Sequence, residues 1–326
     1  MWRWALLMGT VLAGAMDVAP PPAGRAPEAP PQAIGTAGEE RKTNFLTPIL
    51  LDTDIGTDID DAFALALVMR SPELELVGVT TVSGDTAARA RLAAKLLWES
   101  GSQFVPVAAG KPGKPLSQEQ ARWADGFSSP QIQQESAVDL LKAEIERRPG
   151  RITLVAVGPL TNVAELIDRE PATASKLKRI ALMGGSIAHG YGQALEPAAE
   201  YNIASDPKAA QAVFSSGIPI LMAPLDATAM LEMGPAARQR VFTHLTTLTE
   251  SLTILYHLWN KPAPILFDPM AVALLIEPDL CETKDLAIRV DAKGFTRVGR
   301  GKPNATVALK TNPRRFFGFY LGRVAP

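Results

Sequence analysis

The chain has 326 residues, 47% hydrophobic and 21% charged, enough for one large globular domain or two modest ones. A formal net charge of −1 supplies no basic field to draw nucleic acid or an anionic membrane surface. A single cysteine, Cys281, and only three histidines exclude a disulfide framework and a thiolate or histidine-rich metal site, so a bound metal would take oxygen ligands.

The N-terminus stands apart from the rest. Met1-Trp2-Arg3-Trp4 carries one positive charge, 5–14 is almost wholly apolar, and Ala13-Gly14-Ala15 fits a small-residue cleavage site. Residues 1–15 read as a secretory signal cleaved after Ala15, too short to span a bilayer, which predicts an exported protein, periplasmic or secreted, without stable membrane insertion. An uncleaved anchor is the alternative. The stretch 16–43, with Pro20, Pro21, Pro22, Pro27, Pro30 and Pro31, is a Pro/Ala-rich linker without core-forming residues. One domain over 44–326 is the simplest account of the remaining chain.

From residue 48 onward, strand-like and helix-like segments alternate. Pro48-Ile49-Leu50-Leu51 is a short buried strand, and 62–69 is a buried helix. The run 74–82 is rich in β-formers, and 86–99 spaces its apolar residues as a helix does. A strand over 104–109, a Pro/Gly-containing loop over 111–129 and a helix over 131–148 come next. Residues 152–157 form another strand, and Gly158-Pro159 leads into a helix. The segments 180–183 and 218–223 are short apolar strands, separated by a helix opening at Asp206-Pro207. One long helix covers 235–259. The segments 286–290, 295–299 and 305–310 make a small β addition near the C-terminus. Asn312-Pro313 then caps a last helix carrying Phe316, Phe317 and Phe319. This βαβα order predicts an α/β fold: an open, mostly parallel, Rossmann-like sheet with helices on both faces.

The chemistry concentrates between residues 52 and 61, where Asp52, Asp54, Asp58, Asp60 and Asp61 follow the first strand directly. Anions packed so closely repel one another, so either they splay into solvent or a hard cation holds them together. Their place at a strand-to-helix crossover is where open α/β sheets bind ligands, which favours the cation. Asp85, Asp226 and Asp268 also stand at predicted strand ends. Asp268 before Pro269 has a plainer reading as a helix N-cap, and Asp60 and Asp61 one as complements of a helix dipole.

Asp52-x-Asp54-x-Gly56 followed by Asp60-Asp61-Ala62 resembles the opening signature of the inosine–uridine-preferring nucleoside hydrolases. The likeness continues in order through Thr80 to Asp85, Val157 to Asn162, Leu182 to Gly185, Ala199 to Ile203 and Asp268 to Ala271. It covers about 48–325. The resemblance implies a nucleoside hydrolase-like fold, usually dimeric or tetrameric, that hydrolyses the N-glycosidic bond of ribonucleosides with one calcium ion. By position, it implies Asp54, Asp61, Asp268 and the Val157 carbonyl as calcium ligands, with Asp54 also the general base. Asp60, Glu200 and Asn202 would bind the ribose, and Met183 would line the pocket.

Four departures bear on that expectation. Thr57, Asp58 and Ile59 lengthen the loop before the aspartate pair, leaving Asp58 without an assigned task. Asp85 stands where asparagine is usual and would hydrogen-bond near the calcium. Phe267 replaces a histidine before the last calcium ligand, and phenylalanine cannot donate a proton. Phe267 with Trp123 would instead sandwich the base and favour purines, unless they are a pocket wall and a loop anchor. The segment 186–198 is longer than expected, with Ala194 in place of a sugar-binding asparagine; Gln193 is a candidate substitute. His189 would be either the missing acid or a solvated loop residue. Tyr256, His257 and Trp259 would cover the base or pack in the core.

Two alternatives remain on sequence alone. Asp52-x-Asp54 after an apolar strand also opens the haloacid dehalogenase-type phosphatases. Those want Thr or Val where this chain has Gly56, and they give Asp60-Asp61 no role. The other alternative is an exported nucleoside- or ribose-binding protein on the hydrolase scaffold, without catalysis.

Overall fold

The computed structural model describes residues 46–326; the expected signal segment and linker lie outside the described residues. Ten strands are described: β1 (Thr47–Thr53), β2 (Leu74–Thr81), β3 (Val107–Ala109), β4 (Thr153–Ala156), β5 (Arg179–Met183), β6 (Ile220–Ala223), β7 (Cys281–Leu286), β8 (Ile288–Val290), β9 (Thr296–Val298) and β10 (Ala305–Thr311). Eight of them form one sheet in the order β3-β2-β1-β4-β5-β6-β10-β7, parallel throughout except that β7 runs antiparallel to β10. β1 and β4 are neighbours, yet the chain leaves β1 toward β2 on one side and reaches β4 only after returning. That reversal opens a crevice at the carboxyl ends of β1 and β4, the switch point at which doubly wound sheets bind ligands.

Strand residues alternate between two apolar layers because successive side chains leave opposite faces of a sheet. Leu51, Val79, Val155 and Ala181 pack with helices Asp60–Met69, Thr86–Glu99 and Phe267–Ile276. Leu50, Val77, Leu154 and Ile180 pack on the other face with helices Ala137–Arg147, Thr161–Arg169 and Pro207–Ser215. Strands covered on both sides need apolar residues at every position, which is why they read as unbroken apolar runs. The helix Asp60–Met69 is buried along nearly its whole length beneath the sheet ends, so its two leading aspartates enter the interior with it. The expected α/β architecture is therefore observed.

Local signals place several helix ends. Asp206 accepts from the Ala209 N–H at 3.1 Å with Pro207 at the first helical position. Asn312 accepts from the N–H of Arg314 and Arg315, with Pro313 in the same place. In the last helix Phe316 and Tyr320 stack in the core, while Phe317 and Phe319 pack at its margin.

Other expectations are corrected. The third segment of the expected β addition, β10, joins the main sheet beside β6, and β7, unforeseen, closes its edge. Only β8 and β9 form the separate two-stranded antiparallel sheet near the C-terminus. β7 is mostly exposed and charged (Cys281-Glu282-Thr283-Lys284-Asp285-Leu286), a composition suited to an edge strand but without apolar alternation to reveal it. The expected helix over 235–259 is two helices, Pro235–Phe242 and Thr247–Trp259, because Thr246 and Thr249 form a capping box that starts a new helix. The expected helix over 131–148 starts only after Ser136, whose hydroxyl caps it with Asp139.

Candidate active site

The acidic loop leaves β1 at Thr53 and turns back on itself at Gly56, whose φ of +112° is open to glycine and strained for other residues. Asp54, Thr57, Asp58, Asp60 and Asp61 from this loop and helix start line a cavity of about 150 Å³ with Val157, Met183, Tyr191, Glu200, Tyr201, Asn202, Phe267 and Asp268. That volume is below the ~300–1,000 Å³ usual for ligand clefts. It has room for a group of about sugar size. A larger hollow of about 620 Å³ beside Glu75, Phe104 and Arg148 carries no comparable constellation.

Asp60, Asp61 and Asp268 each offer an oxygen, and these oxygens lie within 4.8 Å of one another. All three are buried, and Asp54 with them. Burial is the main reason why Asp60, Asp61 and Asp268 are held well above the ordinary carboxylate range, and repulsion among the neighbouring aspartates adds to it. Asp54 is pushed up to about 6 by burial, partly offset by Arg89. A buried, oxygen-only, negatively charged set of this kind fits a hard divalent cation, which would supply the charge that burial withholds. Asp268 is not an N-cap. It lies within helix Phe267–Ile276, and its N–H donates to Asp60 Oδ2 at 3.3 Å. Thr53 donates its hydroxyl to Asp61, orienting that carboxylate.

Strand ends supply the opposite wall. The Val157 carbonyl follows β4, and an added Cβ at Gly158 would lie 3.0 Å from Asp54 Oδ1, so glycine allows the close approach. Asn202 donates its amide to the Val157 and Met183 carbonyls at 3.1 and 3.2 Å, tying the ends of β4 and β5 together. Glu200 accepts from the N–H of Gly185 and Asn202 at 2.9 Å and of Ile203 at 3.2 Å. Burial pushes its carboxyl up to about 7 despite those bonds. Asp52 lies beneath the cavity, accepting from Thr80 and Asn162, and burial raises it to about 7.

Several expected residues do not line the cavity. Asp85 caps helix Thr86–Glu99, accepting from the Ala88 N–H at 2.9 Å. Trp123 packs at the margin of the core with the Lys95 ammonium 4.4 Å from its ring centroid. Gln193 is exposed outside the cavity, Trp259 is buried in the core, and Tyr256 packs against Phe242. His189 is half-exposed, 3.5 Å from Asp226, whose carboxylate accepts the N–H groups of Ile187, Ala188 and His189 and so anchors the 186–198 loop.

Four residues escaped the sequence reading. Arg89 is fully buried, donates to the carbonyls of Asp54, Ile55 and Ser83 and to Thr57 Oγ1, and stands 4.0 Å from Asp54 Oδ2. It is the cation paired with the cluster among the described residues, and Gln120 holds the same loop through the Asp58 carbonyl. Tyr191 and Tyr201 line the mouth. The Tyr191 ring meets Phe267 edge-on, with centroids 6.1 Å apart at 80°. An arginine inside an Ala/Leu-rich helix was the available signal for Arg89, and an aromatic residue inside a lengthened loop was the signal for Tyr191.

Residues 49–318 match the family described as inosine-uridine preferring nucleoside hydrolase. A pyrimidine-specific ribonucleoside hydrolase, RihA, from Klebsiella pneumoniae is 32% identical over 85% of this chain and 98% of its own length. A plant nucleoside hydrolase, PpNRh1, superposes with a TM-score of 0.76 at 25% identity, covering 86% of this chain and 99% of the other. A purine-preferring ribonucleoside hydrolase from Gardnerella vaginalis does so with a TM-score of 0.73 at 25% identity, covering 85% and 98%.

Proposed function

The chain belongs to the inosine-uridine preferring nucleoside hydrolase family, and from that premise we propose that it is a calcium-dependent ribonucleoside hydrolase with a preference for purine nucleosides. The observation that carries the calcium reading is the convergence of buried carboxylates at the β1–β4 switch point. In this reading Asp54, Asp61, Asp268 and the Val157 carbonyl hold the ion. When bound, calcium polarises the attacking water and orients the ribose hydroxyls.

The protein groups do the rest. Asp54 takes the proton of the attacking water as general base. Asp60 accepts a ribose hydroxyl. Glu200 and Asn202 bind the sugar from the far wall, the Asn202 Oδ1 being left over once its amide is spent on two backbone carbonyls. As the C1′–N bond opens, positive charge develops on the ribosyl ring, and the surrounding carboxylates stabilise it where water is excluded. Met183 closes the floor and Phe267 stacks on the base, gaining more from two fused rings than from one. That contact supports the purine preference, although the K. pneumoniae relative is named for pyrimidines. Export through the 1–15 segment and assembly into a dimer or tetramer belong to the same proposal.

Release of reducing sugar from inosine, adenosine, uridine and cytidine, with chelator and with calcium restored, tests it. Turnover that ends in chelator, returns with calcium and is faster for the purines is expected. Undiminished turnover in chelator refutes the calcium dependence, and faster pyrimidine turnover refutes the preference. Inosine binding without any ribose release would identify the scaffold as a non-catalytic binder.

A further inference from the structure

The carboxylates account for the sugar half of the cavity, but no residue assigned to it can donate a hydrogen to the base, because Phe267 has none to give. A departing base gains negative charge as the glycosidic bond opens, so a donor aimed at it stabilises the transition state more than the ground state. The hydroxyls lining this cavity are those of Thr57, Tyr191 and Tyr201. Thr57 is on the acidic side, accepting from Arg89 at 2.8 Å. The Tyr201 hydroxyl lies near Ser205 and Ser83.

Tyr191 remains. Its oxygen accepts the Tyr201 N–H at 2.9 Å, which directs the phenolic hydrogen away from that bond, and among the described residues no acceptor takes it. Its ring stands nearly perpendicular to that of Phe267, with centroids 6.1 Å apart, and both residues line the same cavity, so the tyrosine borders the space in which a base would meet Phe267. The loop bearing it is anchored, not loose: Asp226 holds residues 187–189, and the Gly190 N–H donates to the Ala194 carbonyl at 2.9 Å. Burial first, and then the negative charge of Glu200, hold the phenol above its ordinary range, so it keeps its hydrogen at any working pH.

We propose that Tyr191 is the hydrogen-bond donor to the nucleobase, a role resting on the nucleoside hydrolase reading. As the C1′–N bond breaks, its electron pair goes to the base, and a ring nitrogen or carbonyl oxygen of the base accepts from the Tyr191 hydroxyl. The ribosyl cation takes hydroxide from the attacking water, whose proton passes to Asp54. The base takes its own proton from solvent at the open mouth, and Tyr191 ends as it began.

The test compares wild type and Tyr191→Phe on inosine, uridine and p-nitrophenyl β-D-ribofuranoside, with thermal melts to verify folding. The nitrophenyl leaving group disperses its own charge and needs no donor, whereas both nucleosides do. In Tyr191→Phe, kcat/KM for both nucleosides should fall about tenfold or more while that for the nitrophenyl riboside stays within about twofold. Equal losses on all three substrates would mark a displaced loop and overturn the assignment, and so would unchanged nucleoside turnover. A wild-type protein inert toward all three would overturn the hydrolase reading itself, and this proposal with it.

Discussion

Replacing Arg89 by methionine separates two contributions that the structure joins in one side chain. Methionine fills much of the arginine's volume but removes its donors to Ser83 O at 2.7 Å, to Ile55 O and Thr57 Oγ1 at 2.8 Å, and to the Asp54 carbonyl. It also removes the positive charge 4.0 Å from Asp54 Oδ2. A charge pair at that distance is worth about 4 kcal/mol at an effective dielectric constant near 20. Breaking a buried pair by deleting one partner costs about 3–5 kcal/mol. In a domain of this size that is a fall of about 10 °C in melting temperature. The metal-free protein bears the full loss, since Asp54 is then left buried with no cation beside it. Bound calcium takes over the charge compensation but not the donors to the loop carbonyls, so the deficit should shrink to roughly half. Thermal melts of wild type and Arg89→Met in chelator and in excess calcium measure both quantities. A variant as stable as wild type in chelator, or one equally destabilised in both conditions, would refute the charge-compensating role.

Asp54→Ala should lower ribose release by about 10²–10⁴-fold with an unchanged far-UV circular dichroism spectrum; undiminished turnover would remove Asp54 as the base. The pH dependence of the metal-free protein has a definite sign. Burial holds Asp52 and Glu200 at about 7 and Asp54 at about 6, against roughly 4 in an unfolded chain. The folded state therefore binds more protons across that window, and the contribution of these groups to stability is lost as pH rises from about 4 to about 7. Urea denaturation in chelator should give a stability at pH 5 above that at pH 8 by a few kcal/mol, at about 1.4 kcal/mol per pKa unit, and calcium should narrow the gap; a rise toward pH 8 in chelator would contradict this. Glu200→Gln turns an amide donor toward backbone N–H groups that now meet only carboxylate oxygens. It should cost about 1–3 kcal/mol in stability and raise KM for inosine; an unchanged KM would detach Glu200 from the sugar.

The acidic side of the cavity was legible because four of its five aspartates, Asp54, Asp58, Asp60 and Asp61, are concentrated in one short stretch. Asp52 to Asp61 follow an apolar strand without interruption, and a strand-to-helix crossover in an α/β chain has a known place in space. Helix starts at Asp206-Pro207 and Asn312-Pro313 were legible for the same reason, since a cap is made by residues two or three apart. The aromatic side was not. Trp123 was assigned to it for its aromatic ring, but the 111–129 segment has no periodicity from which its direction follows, and the ring packs against Lys95.

By itself, the sequence determined the alternation of strands and helices, the doubly wound class and the acidic loop, since each depends on neighbours along the chain. Tertiary structure alone decided that β10 enters the main sheet with β7 at its edge, a matter of hydrogen-bond pairing between distant segments. It also decided that Arg89 turns inward beneath the acids and that Tyr191 meets Phe267 across the mouth. Helical spacing identifies the apolar face of 86–99 but not that an arginine will be buried with it, because the compensating carboxylates come from a different part of the chain.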